Sequence, residues 1–155
     1  MSTTIHLVIE TPGATAFQIL KDATEDDLTT PKFIFPPEST PIPENNLIWK
    51  WSTDDPKMIF PTIESENLNE CFLFISNNLD LADQLEEISL VFEKNSDFSI
   101  GKVLFFIYSP TLLSPPTDFQ EWIDASAHFA DAMLFTERNN KKKNKNVDKL
   151  CFIKS

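Results

Sequence analysis

The sequence predicts a single α/β domain of three layers, a mostly parallel open sheet with helices on both faces. Three observations predict it. The apolar runs at residues 5–9, 71–75 and 103–108 are nearly continuous rather than alternating, as strands buried on both faces require. Helical patterns separate the later runs, so the order strand–helix–strand–helix–strand over residues 71–135 demands parallel strands joined by helical crossovers. The chain has 155 residues, 41% of them hydrophobic, which suits one domain with a real core.

The first strand is expected over Thr3–Ile9 and the first helix over Ala14–Ala23, ended by the polar break Thr24-Glu25-Asp26-Asp27. Residues 31–61 are rich in proline, which limits strand length. Short strands or extended pieces are expected there at Lys32–Phe35, Leu47–Trp51 and Met58–Phe60. Only two glycines occur against eleven prolines, so proline makes most of the turns and no Gly-rich loop exists.

Cys71–Ile75 reads as a buried strand, Asn77-Asn78 as a turn, and Asp80–Lys94 as a helix. Leu81, Leu85, Ile88 and Phe92 recur at helical spacing on one face, leaving Asp83, Glu86, Glu87 and Glu93 to face water. Lys102–Tyr108 is the next buried strand, stopped by Ser109-Pro110. A helix over Asp118–Ala130 follows, with Thr117 as N-cap and Asp118 and Glu121 in its first turn. Its apolar face is Phe119, Trp122, Ile123, Ala127 and Ala130, and Ala132–Phe135 forms a short last strand. The domain thus spans residues 1–137. Residues 138–155 form a basic, Asn/Lys-rich tail, mobile over its Asn139–Asn146 stretch, in which Leu150–Ile153 can dock back as a short element.

Charge bounds the partners. The chain carries −11 overall, but residues 1–137 hold six basic and 23 acidic residues, while the tail holds seven basic residues and Asp148 alone as acid. The acidic body repels nucleic acid. No apolar run reaches the length of a signal peptide or a membrane span, so a soluble, cytoplasmic protein without membrane or nucleic-acid partners is expected. Cys71 and Cys151 give neither a disulfide framework nor a zinc spacing, and Cys71 is expected as a buried free thiol.

Other residue groupings read as structural. The acid pairs Asp54-Asp55 and Glu86-Glu87 are adjacent in sequence, so they do not converge on a helix and read as solvated faces. Asp124 and His128 stand at helical spacing and are expected to contact each other. Trp49 and Trp51 alternate and point to one side of an extended piece, as core or strand-edge packing. Ser109, Ser114 and Ser126 lie near no nucleophile elbow.

One segment carries a recognisable frame. Glu10-Thr11-Pro12-Gly13-Ala14-Thr15-Ala16-Phe17 joins a strand to a helix, where a P-loop places G-x-x-x-x-G-K-[ST]. With three further stretches, this segment resembles the P-loop GTPases and, within them, the CobW-type metal-chaperone class. The stretches are His6–Phe17 (HLVIETPGATAF), Phe72–Gln84 (FLFISNNLDLADQ), Val103–Leu113 (VLFFIYSPTLL) and His128–Asn139 (HFADAMLFTERN), about a third of the chain in the family's order.

The resemblance implies a nucleotide-binding fold, and the departures imply that its activity is gone. Glu10 and Thr15 stand at the two glycine positions, Ala16 at the lysine that neutralises the phosphates, and Phe17 at the hydroxyl that holds Mg²⁺. Ser76-Asn77-Asn78 replaces the acid and the DxxG after the strand that ends at Ile75, while Glu137 and Asn139 replace the lysine and aspartate of the guanine-reading motif. Pro12, Gly13, Ala14 and Thr136 match the motif.

The expected function is therefore non-catalytic, a pseudo-GTPase or interaction module with no cofactor. Its candidate binding residues are Thr11, Pro12, Gly13, Ala14, Thr15 and Thr136. The alternative is a small enzyme or nucleotide-binding protein with its site at the strand C-termini, near Glu10, Thr11, Ser76, Asn77, Ser109 and Thr136. A protein partner, or self-association through an open sheet edge, is expected in the first case.

Overall fold

A computed structural model describes residues 2–25, 32–39, 41–42, 46–63, 68–113, 115, 117–136 and 151–153. Its centre is a seven-stranded sheet in the order β3-β2-β6-β1-β7-β8-β9. The strands are β1 (Thr3–Glu10), β2 (Lys32–Phe35), β3 (Leu47–Ile48), β6 (Glu70–Phe74), β7 (Phe98–Tyr108), β8 (Ala132–Thr136) and β9 (Cys151–Ile153). Six of them run parallel, and β9 pairs antiparallel with β8. A separate hairpin joins β4 (Lys50–Ser52) to β5 (Lys57–Ile59).

Helices cover both faces. On one side α1 (Ala16–Thr24) sets Ala16 and Leu20 against Val8, Phe33, Phe35, Phe72, Phe74 and Phe106. On the other, α2 (Leu81–Lys94) and α3 (Thr117–Phe129) set Leu81, Ile88 and Ile123 against Ile5, Leu7, Ile9, Leu73, Phe105 and Ile107. The alternation along β1 explains the division. Ile5, Leu7 and Ile9 point to one face and Val8 to the other, because successive strand residues face opposite ways. A three-layer α/β domain follows, as the continuous apolar runs predict.

The differences from expectation have local causes. Helix α1 begins at Ala16 rather than Ala14, because Thr11–Ala14 closes a turn through an Ala14 N–H bond to the Thr11 carbonyl at 3.1 Å. Strand β7 begins at Phe98 rather than Lys102, since Thr3, Thr4 and Ile5 of β1 offer partners to Phe98, Ser99 and Ile100. The expected strand Leu47–Trp51 is broken at Trp49. Its indole is fully buried and donates from Nε1 to the Phe74 carbonyl at 2.8 Å, while the Trp51 ring packs edge-on against it.

Helix α3 starts at Thr117 itself, the residue expected as its cap. Glu87 does not simply face water, because its Oε2 accepts from the Met58 amide at 3.2 Å and ties the β4–β5 hairpin to α2. Asp124 accepts from Gln120 at 2.9 Å rather than contacting His128, whose ring meets Phe129. Strand β9 pairs antiparallel along β8, within the element expected to dock back. The helix break at Asp26-Asp27 and the tail stretch Asn139–Asn146 lie outside the described residues.

Candidate functional site

In an open parallel sheet, ligands bind beyond the strand C-termini, where connections from neighbouring strands leave toward opposite faces. Strand β1 is such a place. It lies between β6 and β7, and its chain departs into α1 on one face while β6 and β7 lead to α2 and α3 on the other. The expected binding turn at residues 11–15 sits at this point.

The turn is closed by its own hydrogen bonds. Pro12 and Gly13 occupy its two central positions, and the φ of 88° at Gly13 is one that glycine adopts without steric cost. A Cβ there would also come within 3.1 Å of the Tyr108 ring. Thr11 is fully buried, its amide donates to the Phe106 carbonyl at 3.0 Å, and its Oγ1 accepts from the Tyr108 amide at 2.7 Å. Tyr108 pairs in turn with Thr136, whose hydroxyl is directed at the Ile107 carbonyl at 3.4 Å. Thr11 and Thr136 are thus brought to either side of the end of β7, both buried and both engaged in joining strands.

Thr15 takes the left-handed conformation, φ 55° and ψ 38°, and makes no side-chain cap to α1. The cap comes from elsewhere. Glu10, the last residue of β1, sends Oε2 to accept the Ala16 amide at 3.0 Å. A carboxylate therefore fills the N-terminus of α1, where the helix dipole and free amides favour an anion. Burial pushes the Glu10 carboxyl above its usual pKa of 4.5, and the Ala16 amide only partly offsets this. Ala16 is buried, and Phe17 packs its ring edge-on against Phe33 and Phe35.

The loop after β6 is equally committed to structure. Gln84 of α2 is fully buried, and its Oε1 accepts the Ser76 amide at 2.8 Å. Its Nε2 donates to the carbonyls of Ser76, Leu79 and Asp80 at 3.0–3.1 Å. The Ser76 hydroxyl is buried, donates to Glu38 Oε1 at 2.6 Å and accepts the Asn78 amide at 3.1 Å, so it is not presented as a nucleophile. Asn77 Nδ2 donates to the Glu10 carbonyl at 3.0 Å and ties the β6 loop to the end of β1.

Beside these residues lies an open cleft of about 360 Å³. Phe17, Phe35, Pro36, Pro41 and Phe74 form much of its lining, and Glu10 and Glu38 are its charged members. Of the alternative set, Glu10 and Asn77 line it and buried Ser76 bonds to its Glu38, whereas Thr11 and Thr136 are held at the end of β7 and Ser109 opens a short 3-10 turn. Both histidines lie away from this lining. Among the described residues no group of three acids, histidines or cysteines is placed to hold a metal ion.

Sequence reasoning missed Gln84 and Glu38. Gln84 had a signal, because it lies three residues after Leu81 and four before Ile88, a polar residue inside the apolar stripe. Glu38 had none, since only folding brings its segment over Ser76. No family model, no curated protein and no solved structure matches the chain.

Proposed function

We propose that the chain is a non-catalytic domain of P-loop GTPase-like design, serving as a protein-interaction module, in which its own Glu10 side chain stands where a nucleotide phosphate would be held. The observation that carries this reading is the Glu10–Ala16 contact. A phosphate needs the N-terminus of α1 free and a cation beside it, and here that terminus holds a carboxylate with alanine at the lysine position.

Two features support the link to the GTPase frame. Thr15 adopts a left-handed backbone at the position of the pattern's second glycine, a conformation glycine reaches without strain. The Thr11–Ala14 turn also sits at the switch point where such folds bind ligands. With the phosphate site internally satisfied, the fold needs no nucleotide to complete it, which suits a constitutive binding surface.

Calorimetry of the full chain with GTP and with ATP, each with Mg²⁺, tests the reading. No heat of binding is expected at millimolar nucleotide. Tight, Mg²⁺-dependent binding accompanied by turnover would overturn it.

A further inference from the structure

The cleft at the C-terminal ends of β1, β2 and β6 is unusual in its chemistry. Its lining mixes aromatic and polar groups, with Phe17 edge-on to Phe35, Phe35 stacked on Phe74 at 5.0 Å between ring centroids, and Ser39 and Asn77 beside them. Among the described residues its charged lining members are Glu10 and Glu38, with no lysine, arginine or histidine beside them. Each carboxylate spends one oxygen internally, Glu10 Oε2 on the Ala16 amide and Glu38 Oε1 on the Ser76 hydroxyl. The partner of such a surface is a cation with apolar flanks.

We infer that this cleft receives an arginine side chain, together with an adjoining apolar residue, from an extended segment of a protein partner. The inference rests on the interaction-module reading and names the chemistry of its partner.

Arginine fits better than the alternatives. Its guanidinium is planar and weakly hydrated, so it can lie against the half-buried Phe17 ring and meet carboxylates through its forked donors. Lysine carries a compact, strongly hydrated charge that gains less from aromatic walls. A bare metal ion has no third acidic, histidine or cysteine ligand among the described residues. An anion such as a nucleotide phosphate would meet two carboxylates and no counter-charge among the described lining residues. The wider field agrees, because residues 1–137 carry six basic against 23 acidic residues and so steer a basic segment toward the domain.

The test uses the full chain, labelled with nitrogen-15, titrated with acetyl-Leu-Arg-Leu-amide. The comparison peptide carries citrulline, the neutral shape-mimic of arginine. Saturable shifts are expected at the amides of Phe17, Phe35 and Asn77, with the citrulline peptide at least about fivefold weaker. Glu38 is exposed and Glu38→Gln keeps an acceptor for Ser76, so this variant should hold its melting temperature while weakening the arginine peptide about three- to tenfold. The exposed pair Asp54→Asn/Asp55→Asn, away from the cleft lining, should leave affinity unchanged.

Absence of saturable shifts, equal affinity for both peptides, or an equal loss in the Asp54/Asp55 variant would overturn the assignment. If the peptide fails and nucleotides still do not bind, the arginine assignment alone falls. If Mg²⁺-GTP binds and displaces the peptide, the interaction-module reading falls with it.

Discussion

The carboxylate of Glu10 caps the helix that begins at Ala16, six residues away, with Oε2 3.0 Å from the Ala16 amide. Local capping usually uses the residue directly before the helix. Here that residue, Thr15, is turned away by its left-handed backbone, and the end of β1 supplies the acceptor instead.

This arrangement has a pH signature. The carboxyl pKa of folded Glu10 is raised above 4.5, chiefly by burial, so the folded state prefers the proton more than the unfolded chain does. The stability this preference gives is fully present below pH 4.5 and is lost as pH rises through the higher folded value. Glu10→Gln keeps an acceptor for Ala16 and removes the charge. At pH 7 it should unfold at higher urea than the parent, and the gap should narrow toward pH 4.5. Urea midpoints across pH 4.5–7.5 check this. A gap that widens on acidification would show the carboxylate to be favoured by folding.

Gln84 is a second buried side chain that satisfies backbone groups near the strand ends. It satisfies the Ser76 amide and three carbonyls in the loop after β6. Gln84→Leu keeps the approximate volume but leaves the buried Ser76 amide without its acceptor. A loss of about 2–4 kcal/mol is expected in urea unfolding, from the cost of unpaired buried polar groups.

At the other end of the sheet, His6 requires Gly101. Its Nε2 lies 2.6 Å from Glu70, its Nδ1 accepts the Lys102 amide at 2.9 Å, and the β1–β7 register shifts between Ile5 and Leu7 to admit the ring. A Cβ on Gly101 would fall 2.6 Å from Nδ1. Gly101→Ala should therefore cost about 1–3 kcal/mol, as overpacking does. Adding His6→Ala should recover part of that loss, so a double-mutant cycle should return a coupling of at least about 0.5 kcal/mol.

Cys71 is fully buried, and burial raises its thiol pKa from 9.0 to about 11, with the nearby Lys32 charge lowering it in part. In a Cys151→Ser background, the thiol should react with a disulfide reagent at pH 8 only as fast as the domain opens. The unfolded chain ionises first as pH climbs, so stability from this group should fall between pH 9 and about pH 11. Fast labelling of folded protein at pH 8 would contradict the burial.

Much of the fold was legible because burial on two faces writes itself into composition. The runs Cys71–Ile75 and Val103–Tyr108 need apolar residues at every position, and α2 needs Leu81, Leu85, Ile88 and Phe92 at helical spacing. The middle section was less legible. Its strands are two to four residues long, and the indole of Trp49, which breaks one of them, is placed by a carbonyl 25 residues away.

By itself the sequence determined a mostly parallel α/β sheet, a strand-to-helix junction after Ile9, and alanine and phenylalanine at positions 16 and 17 of that junction. These are local properties, set by periodicity, turn chemistry and residue type. Tertiary structure alone decided that Glu10 caps α1, and that Glu38 and Gln84 close around Ser76. The Glu38–Ser76 contact joins segments 38 residues apart that only folding brings together, while the Glu10–Ala16 and Gln84–Ser76 contacts depend on how a turn and a loop close. Their energies depend on burial and on distances of about 3 Å, neither of which spacing along the chain encodes.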